Sequence, residues 1–322
     1  MKITVGTFNL FQFVEPPYAW YTRKDKFNLT QWSHKTRWIK KQIIKMDCDI
    51  IGFQEVFSQN ALKNLVQELG FNYFETVDVP KVHTNNKNIY VSMTVAIASK
   101  YPISKLEAVH LHTSSLEKHH FKGVFSFSRT PIKATITLPN KKDLLVYVCH
   151  LKSNRLNEFE YVFTKNDSIE EKKTLVSQVL EMDSFEALKQ RLCEASSLFF
   201  DMQKSKNKPI VLLCDLNDKE FSLTIDVLSN PKYYNSKSVE ESLLYDASYQ
   251  YIPPNPHPEK KEVERKSTSY FLGKGNVLDY IFISKDIAKV TNYAVLDKHL
   301  ENNKEGSLLT SDHAQVVCEL TL

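Results

Sequence analysis

The sequence predicts an α/β protein with mixed β-sheets, because two kinds of hydrophobic pattern share its 322 residues. Short runs of about four to eight β-branched or aliphatic residues predict strands, and apolar residues at three-to-four spacing predict helices. Strand runs mixed with helical stretches are typical of α/β domains. Strand signals continue along the whole sequence, so we expect a single domain over residues 1–322.

The predicted elements follow in chain order. The runs with strand character are Ile3–Asn9, Asp49–Glu55, Ser92–Ser99, Ile132–Leu138, Leu144–His150, Ile210–Asn217, Leu278–Ser284 and Gln315–Leu322. Helical spacing occurs in Gln31–Lys45, in Ser58–Leu69 and in Glu170–Gln203, the last of which is long enough for two helices.

Two polar stretches interrupt this pattern. Residues 156–190 are interpreted as an insertion, and Leu156–Lys189 within it holds eight Asp/Glu against four Lys. This insertion is a candidate lid over the functional site. Residues 253–266 are rich in Pro and then in charge, which predicts an exposed loop.

Composition sets limits on the class of protein. Hydrophobic residues make up 42% and the formal net charge is +4, which excludes a disordered or collagen-like chain. Five cysteines without CxxC spacing predict buried free thiols in a reducing compartment. The N-terminus lacks an apolar signal core, and no stretch approaches the roughly 20 apolar residues of a membrane span. We therefore expect a cytoplasmic protein without stable membrane association.

Polar and ionisable residues stand at the ends of six predicted strands. If the last two strands run antiparallel to their neighbours, all six groups meet at one rim of the sheets. A single Asp or His at a strand end is more often a turn or structural residue. Independent turn signals do not explain this combination of two His, one Glu and three Asp: Asn9, Glu55, His150, Asp215 with Asn217, Asp279, and Asp312 with His313.

Such a cluster suits metal-assisted hydrolysis of phosphoesters. Carboxylates are hard oxygen ligands, so Glu55 with Asp312 favours Mg²⁺ or Mn²⁺ over zinc. An attacking water must be oriented and deprotonated, which a carboxylate such as Asp215 or an imidazole can do.

The remaining rim residues are candidates for charge stabilisation. Phosphorus gains negative charge during water attack, and Asn217, His150 and His313 are donors that suit this charge. An imidazole works best when a carboxylate fixes its tautomer, and Asp279 is the candidate partner for His313.

These residues belong to motifs that occur together in a known order. The motifs are Thr7–Asn9, Ile51–Val56, Cys149–Ser153, Cys214–Asp218, Leu278–Ser284 and Ser311–His313. On these motifs the chain resembles the endonuclease/exonuclease/phosphatase superfamily, which has the DNase I-like fold. The resemblance implies a four-layer α/β sandwich of two packed mixed β-sheets flanked by helices. It also implies a divalent-metal phosphodiesterase or phosphatase.

The resemblance further implies roles for the rim residues. Glu55 becomes the main metal ligand for Mg²⁺ or Mn²⁺, with Asn9 and Asp312 nearby. Two pairs then share the acid–base work, and which group is the general base stays open: Asp215 with Asn217 for water orientation and phosphate contact, and Asp279 with His313 as a carboxylate–imidazole pair.

One position helps with the subclass. Members that repair abasic sites typically carry Tyr where this chain has His150, whereas DNase I-like nucleases, sphingomyelinases and inositol phosphatases carry His. The continuation through Lys152 and Arg155 looks like a bacterial group of nucleases, in which both would sit beside the phosphate. The alternative is an exposed basic loop. Arg129 resembles a recurrent Arg at the site rim, against the alternative of a solvated loop residue.

The first substrate hypothesis is nucleic acid. Arg23–Lys45 holds eight Lys/Arg and one Asp, and Trp20, Tyr21, Trp32 and Trp38 lie in or beside it. Such a stretch can hold a nucleic-acid backbone, although a solvated helix face with core Trp residues is the alternative. The other hypotheses are a phospholipid, inositol phosphate or small-nucleotide substrate, and a catalytically inactive binding module. The sequence does not separate DNA from RNA.

Overall fold

The computed structural model describes residues 1–153, 162–182, 185–205, 207–234, 236–253, 265–271, 273–301 and 307–322. Within these residues two six-stranded mixed β-sheets pack face to face, and helices cover their outer faces. The predicted mixed α/β sandwich is therefore confirmed.

The following bounds apply to the described part of the chain. The strands are β1 (Lys2–Phe13), β2 (Ala19–Trp20), β3 (Ile50–Val56), β4 (Tyr73–Glu75), β5 (Val82–His83), β6 (Asn86–Tyr90), β7 (Thr94–Ser99), β8 (Ile103–Ala108), β9 (Ile132–Thr137), β10 (Asp143–His150), β11 (Ile210–Asp215), β12 (Leu244–Asp246), β13 (Ser269–Phe271), β14 (Lys274–Asn276), β15 (Asp279–Ser284), β16 (Lys289–Leu296) and β17 (Gln315–Thr321). The helices are α1 (Leu29–Met46), α2 (Gln59–Gln67), α3 (Ser114–Lys118), α4 (Ile169–Leu180), α5 (Glu186–Gln203), α6 (Leu223–Ser229), α7 (Pro231–Tyr234) and α8 (Ala247–Gln250), and a 3₁₀ helix spans Lys237–Ser242.

Strand direction places the polar strand ends on one rim. The first sheet has the order β16-β17-β1-β3-β7-β4, in which β1 runs parallel to β3 and antiparallel to β17. The second has the order β12-β15-β11-β10-β9-β8, in which β10 and β11 run parallel and β15 runs antiparallel to β11. The last two predicted strands are therefore antiparallel to their neighbours, as the rim hypothesis requires.

The interface between the sheets brings the two halves of the rim close together. Inward-facing aliphatic residues of both sheets form one buried cluster, which includes Val5, Ile97, Val146 and Val211. Gly52 of β3 faces the second sheet, where an added Cβ would lie 2.9 Å from Leu213 Cβ. The missing side chain lets β3 approach β11 closely.

The helical layers follow from amphipathic sequence. Helix α1 begins with a capping box between Asn28 and Gln31, and its buried face packs on the first sheet. Helices α4 and α5 cover the second sheet, and Ile169 and Val176 of α4 join its core. The described part of the predicted insertion at 156–190 is thus integrated into the helical layer. Its residues 156–161 and 183–184 lie outside the described residues, and the lid remains a prediction.

Several sequence predictions can be compared directly with the fold. All the predicted strands are present, and the Glu170–Gln203 stretch forms two helices, α4 and α5. All five cysteines are free and buried, as predicted. Most of the predicted 253–266 loop lies outside the described residues. At its end Lys266 is exposed as expected, whereas the Arg265 side chain is only 7% exposed because its guanidinium pairs with Asp246 and Glu220.

None of the described helices is long and apolar enough to cross a membrane.

Candidate active site

The rim is built from strand ends that pair directly. Asp215, the last residue of β11, lies opposite Asp279, the first residue of β15. On its other side Asp215 lies opposite His150, the last residue of β10. The side chain of Asn9 from β1 reaches across from the other sheet, and its Nδ2 donates to Asp215 Oδ2 at 2.9 Å. The structure thus brings together residues that lie 206 positions apart.

Asp215 is a buried carboxylate with two oriented donors. Its Oδ2 accepts from Asn9, and its Oδ1 accepts the backbone N–H of Asn217 at 2.9 Å. Asn217 adopts a left-handed conformation with φ of 49°, which is rare for a residue other than Gly and points to a functional constraint. Burial and the charge of Asp279 raise the pKa of Asp215 to about 7. Asp215 can therefore exchange a proton near neutral pH.

Asp279 and His313 form the predicted carboxylate–imidazole pair. His313 Nδ1 lies 2.8 Å from Asp279 Oδ2, and both residues are buried. The hydroxyl of Thr268 accepts the backbone N–H of Asp279 at 3.0 Å and so fixes the start of β15. Burial opposes a charge on His313, but Asp279 and Asp312 raise its pKa well above the ordinary value. His313 is therefore held as an imidazolium.

His150 has the opposite character. Its Nε2 lies 3.4 Å from Asp215 Oδ2, so Asp215 is the neighbouring carboxylate that the sequence alone did not identify. Its buried Nδ1 has no hydrogen-bond partner among the described residues. Burial, with the charges of Arg129 and His313, holds the pKa of His150 well below its ordinary value. The rim therefore pairs a neutral imidazole with a charged one.

Glu55 is the penultimate residue of β3 and lies at a shift in the strand register, where its backbone is strained. Its φ is 60°, and Phe11 and Gln12 of the facing β1 segment have φ of 51° and 64°. The backbone N–H of Gln12 donates to Glu55 Oε2 at 2.9 Å. Left-handed backbone at three residues other than Gly is costly and is kept where it orients groups for function. Here it aims a main-chain donor at the carboxylate.

Lys35 also lies beside the candidate site, and the sequence alone did not predict this position. It belongs to the basic stretch Arg23–Lys45 in the sequence, but it is fully buried and its Nζ donates to the carbonyls of Phe11, Leu308 and Thr310 at 2.7–3.0 Å. Burial lowers its pKa to about 7, against the opposing charges of Glu55 and Asp312. The available signal was its position four residues before Ile39, on the apolar face of the helix.

Asp312 completes the acidic side of the rim. Its Oδ1 is buried and has no hydrogen-bond partner among the described residues. Burial raises its pKa to about 6, with the charge of Glu55 adding to this shift and His313 opposing it. The preceding Ser311 donates to the carbonyl of Asn9 at 2.8 Å, which ties this segment to the end of β1.

The acidic side fits a hard divalent cation. Glu55 and Asp312 offer carboxylate oxygens. The buried Oδ1 of Asp312 lies 3.9 Å from His313 Nε2 and accepts no hydrogen bond from the described residues, so a cation would satisfy it. A second set, Asp215, Asp279 and His313, has ligand atoms within 4.8 Å of one another. In that set His313 Nδ1 already bonds to Asp279, so an acid–base network explains it better than a metal site.

The predicted phosphate-binding residues lie around one carbonyl. Arg129 Nη1 and Asn217 Nδ2 both donate to the carbonyl oxygen of Leu151, at 3.1 and 3.0 Å. Lys152 follows directly, and its backbone N–H donates to Glu194. Arg155 lies outside the described residues, so its role remains a prediction.

The aromatic residues in and beside the basic stretch Arg23–Lys45 lie in two different environments. Trp32 and Trp38 contact Phe13 and Phe8 in the core, which agrees with the alternative interpretation of this stretch. Tyr21 differs, because it is 47% exposed and adopts a φ of 61°. Burial and the charge of Glu55 raise the pKa of Tyr21, and the charge of Arg129 opposes this shift. The Tyr21 hydroxyl is therefore close enough to the rim to feel the charges of both residues.

Comparison with solved structures supports the fold. The human Nocturnin catalytic domain with bound sulfate is similar at a TM-score of 0.59 and 16% identity, over 99% of this chain and 93% of that chain. An endonuclease/exonuclease/phosphatase family protein from Bacteroides thetaiotaomicron is similar at 0.56 and 16%, over 99% and 97%. D. rerio TDP2, humanized by 14 mutations, is similar at 0.55 and 12%, over 100% and 99%.

Sequence comparison places the chain in a family. No curated protein sequence matches it. The model of the endonuclease/exonuclease/phosphatase family matches residues 6–313, an interval that contains every rim residue from Asn9 to His313. Because this match covers nearly the whole chain and its motifs form the rim, the protein belongs to the endonuclease/exonuclease/phosphatase family.

Proposed function

We propose that this protein is a divalent-metal-dependent phosphodiesterase that acts as a nuclease on DNA or RNA. Members of its family are hydrolases of phosphoester bonds and generally use divalent metals. The observation that carries the proposal is the arrangement of Asp215. Its carboxylate has a pKa near 7 and lies between the neutral His150 and the charged His313.

The residues that would hold Mg²⁺ or Mn²⁺ are Glu55 and Asp312, with Asn9 beside them. A bound divalent cation supplies Lewis-acid polarisation of a phosphoryl oxygen and neutralises developing charge. Lys35 lies beside the same segments and orients them through the carbonyls of Phe11 and Thr310, which its Nζ binds.

Asp215 is proposed as the proton acceptor. As the water oxygen forms its bond to phosphorus, the water proton passes to the Asp215 carboxylate and the bond to the leaving oxygen breaks. A pKa near the working pH suits this exchange. Asn9 and the backbone N–H of Asn217 hold the carboxylate in place for the transfer.

His313 and Arg129 are proposed to stabilise the negative charge that gathers on the phosphoryl oxygens. Asp279 holds His313 as a cation in one orientation, which spares reorganisation during the reaction. Arg129, Lys152 and Arg155 are proposed to bind the phosphate from the other side.

Exposed Tyr21 favours a nucleic-acid substrate. A partly exposed aromatic ring beside the phosphate site gives a base a surface on which to stack. The excess of basic residues in Arg23–Lys45 follows Tyr21 along the chain and suits a polyanion. The inactive-module alternative is disfavoured, since every rim residue that the motifs predict is present in the sequence.

A phospholipid substrate is the second candidate, because the segment that leads to Arg129 along the chain exposes an apolar residue. Val124 is 98% exposed in the middle of the 121–127 loop, in which the Phe125 ring contacts those of Phe121 and Phe127. An exposed apolar loop suits an amphiphilic substrate.

A substrate screen tests the proposal. Purified protein is incubated with plasmid DNA, RNA, phospholipid vesicles and inositol phosphates in Mg²⁺, in Mn²⁺ and in EDTA. We expect cleavage of nucleic acid that EDTA abolishes. Hydrolysis of phospholipid or inositol phosphate without cleavage of nucleic acid would refute the nuclease, and activity in EDTA would refute the metal dependence.

A further inference from the structure

Three polar residues on one face of α5 contact the loops that carry the proposed phosphate site. Gln190, Arg191 and Glu194, here named the α5 clasp, lie in a helix whose other buried residues are mostly apolar or small. Arg191 and Glu194 are each 1% exposed. Buried charges are costly unless they are paired and hydrogen-bonded, so their partners indicate what they are for.

Glu194 binds two loops at once. Its Oε1 accepts the backbone N–H of Ser128 at 2.6 Å, and its Oε2 accepts the backbone N–H of Lys152 at 2.7 Å. Gln190 Nε2 also donates to Oε1 at 2.9 Å, and it donates to the carbonyl of Ser126 at 2.7 Å. One carboxylate therefore sets the distance between the segment that precedes Arg129 and the segment that follows β10.

Arg191 binds a third loop, the one that carries Asn217 and Asp218. Its Nε donates to Asp218 Oδ2 at 3.1 Å, and its Nη1 donates to the carbonyl of Lys152 at 3.0 Å. Asp218 follows Asn217 directly, and its carboxylate also accepts from Thr224 at 2.6 Å. The residue Lys152 is thus held through its N–H by Glu194 and through its carbonyl by Arg191.

We propose that the α5 clasp consists of positioning residues that preorganise the phosphate-binding side of the site. The inference rests on the proposed function and extends it to residues that touch neither substrate nor metal. The clasp binds the main chain beside Arg129, Lys152 and Asn217. These contacts fix the spacing of three side chains that would donate hydrogen bonds to phosphate and that lie on three separate loops. Hydrogen bonds to an ionised carboxylate are short and strong, which suits the setting of a geometry.

Variants of Glu194 test the clasp. Glu194→Gln keeps the shape but offers one acceptor oxygen in place of two, and Glu194→Ala removes both. We expect kcat/KM on DNA to fall by about 10²-fold in Glu194→Ala, because small misplacements of substrate-positioning groups have effects of this size. Glu194→Gln is expected to lie between Glu194→Ala and wild type.

Two further readouts separate positioning from general damage. Hydrogen exchange of the Ser128 and Lys152 amides should accelerate by about tenfold or more in Glu194→Ala, since each loses a bond to a charged acceptor. Stabilisation of the fold by Mg²⁺, measured as the rise in Tm, should stay unchanged because Glu55 and Asp312 lie on other segments.

A matched control comes from the same helix. Asp201 of α5 pairs with Lys133 Nζ at 3.0 Å and Tyr147 OH at 2.8 Å, away from the three loops. Asp201→Asn should change neither kcat/KM nor the exchange of Ser128 and Lys152.

The possible outcomes are distinguishable. The positioning role of the clasp would be overturned if both Glu194 variants fold and keep the wild-type kcat/KM. It would also be overturned if hydrogen exchange of the Ser128 and Lys152 amides stays unchanged in them. Failure of the wild-type protein to cleave any phosphoester would instead overturn the proposed function. In that case the clasp is tested by the rise in Tm that inorganic phosphate causes. We expect Glu194→Ala to lose this rise, and a rise equal to that of wild type would overturn the proposal.

Discussion

His150 and His313 show how neighbouring residues of one type acquire opposite charge states. His313 faces three carboxylates, Asp279, Asp312 and Asp215, and is held as a cation. His150 is buried beside Arg129 and His313 and stays neutral. Groups whose environments push their pKa values apart are suited to different roles in acid–base chemistry. The charged ring suits phosphate stabilisation, whereas the neutral ring can accept a hydrogen bond.

Asp279→Asn tests the orientation of His313. The substitution keeps the shape of the side chain but removes the charge opposite Nδ1, so the pKa of His313 falls and its orientation loosens. We expect kcat for nucleic-acid cleavage to fall by about 10²–10⁴-fold, the usual range for a positioned acid–base group. Steady-state kinetics at fixed Mg²⁺ measure this effect.

Asp286→Asn is the matched control, since Asp286 is exposed at the other end of the β15 region. It should leave kcat unchanged. Wild-type kcat in a folded Asp279→Asn protein would remove the pair from the mechanism.

The sequence identified most side chains of the rim but not their environment. Asp215 and Asp279 stand at strand ends, a position that can be read from hydrophobic patterning, whereas β1 continues beyond Asn9 to Phe13 and His313 lies just before β17. The lowered pKa of His150 depends first on its burial and then on the charges of Arg129 and His313, which the fold brings close. No local pattern encodes that proximity.

At the scale of elements, α1 ties together two segments from opposite ends of the chain. Lys35 binds the carbonyl of Phe11 in β1 and the carbonyls of Leu308 and Thr310, which precede Asp312. These segments carry or orient the proposed metal ligands. A buried lysine thus links the helix to both sides of the acidic cluster.

The depressed pKa of Lys35 predicts a pH dependence of stability in EDTA. Its folded pKa is about 7 against an ordinary 10.5, so between these values the unfolded chain holds a proton that the folded protein has lost. Rising pH therefore favours the folded state. Relative to Lys35→Met, the wild-type protein should gain about 1.4 kcal/mol of unfolding free energy per pH unit in this window.

Denaturant unfolding of both proteins between pH 7 and pH 10 measures this difference. Lys41→Met on the exposed face of α1 is the control and should show no such slope. A pH-independent difference between wild type and Lys35→Met would show that Lys35 titrates normally.

Helix spacing predicted α1 but not the role of Lys35. The pattern that places Ile39 and Ile43 in the core also places Lys35 on the same face. The charge of Lys35 indicates a solvated position. Its burial is possible because three carbonyls from distant segments accept hydrogen bonds from its Nζ. Edge strands such as β16 were missed for a related reason, since their half-exposed residues lack a strong pattern.

At the scale of the whole molecule, close packing of the two sheets assembles the site. Asn9 on the first sheet bonds to Asp215 on the second, and Gly52 allows the close approach of β3 to β11. Strand ends that share a rim supply an acid–base network, while the end of β3 supplies Glu55 and the segment before β17 supplies Asp312. The architecture could be predicted because strand runs and motif order are visible in the sequence, whereas the left-handed backbone at Phe11, Gln12 and Glu55 within β1 and β3 could not.

The near-neutral net charge of +4 conceals an uneven distribution. The basic stretch Arg23–Lys45 contributes an excess of seven positive charges, although Lys35 is withdrawn into the interior. The rim itself is acidic, which suits a site that operates with a divalent cation.

Plasmid cleavage measured against Mg²⁺ concentration tests the central claim most directly, with wild type, Glu55→Ala and the exposed control Glu75→Ala compared side by side. We predict cleavage by wild type and Glu75→Ala that rises with Mg²⁺, stops in EDTA and returns when Mg²⁺ is restored. Glu55→Ala should be slower by at least about 10²-fold at every Mg²⁺ concentration. Cleavage that persists in EDTA, or equal rates for Glu55→Ala and wild type, would contradict the account.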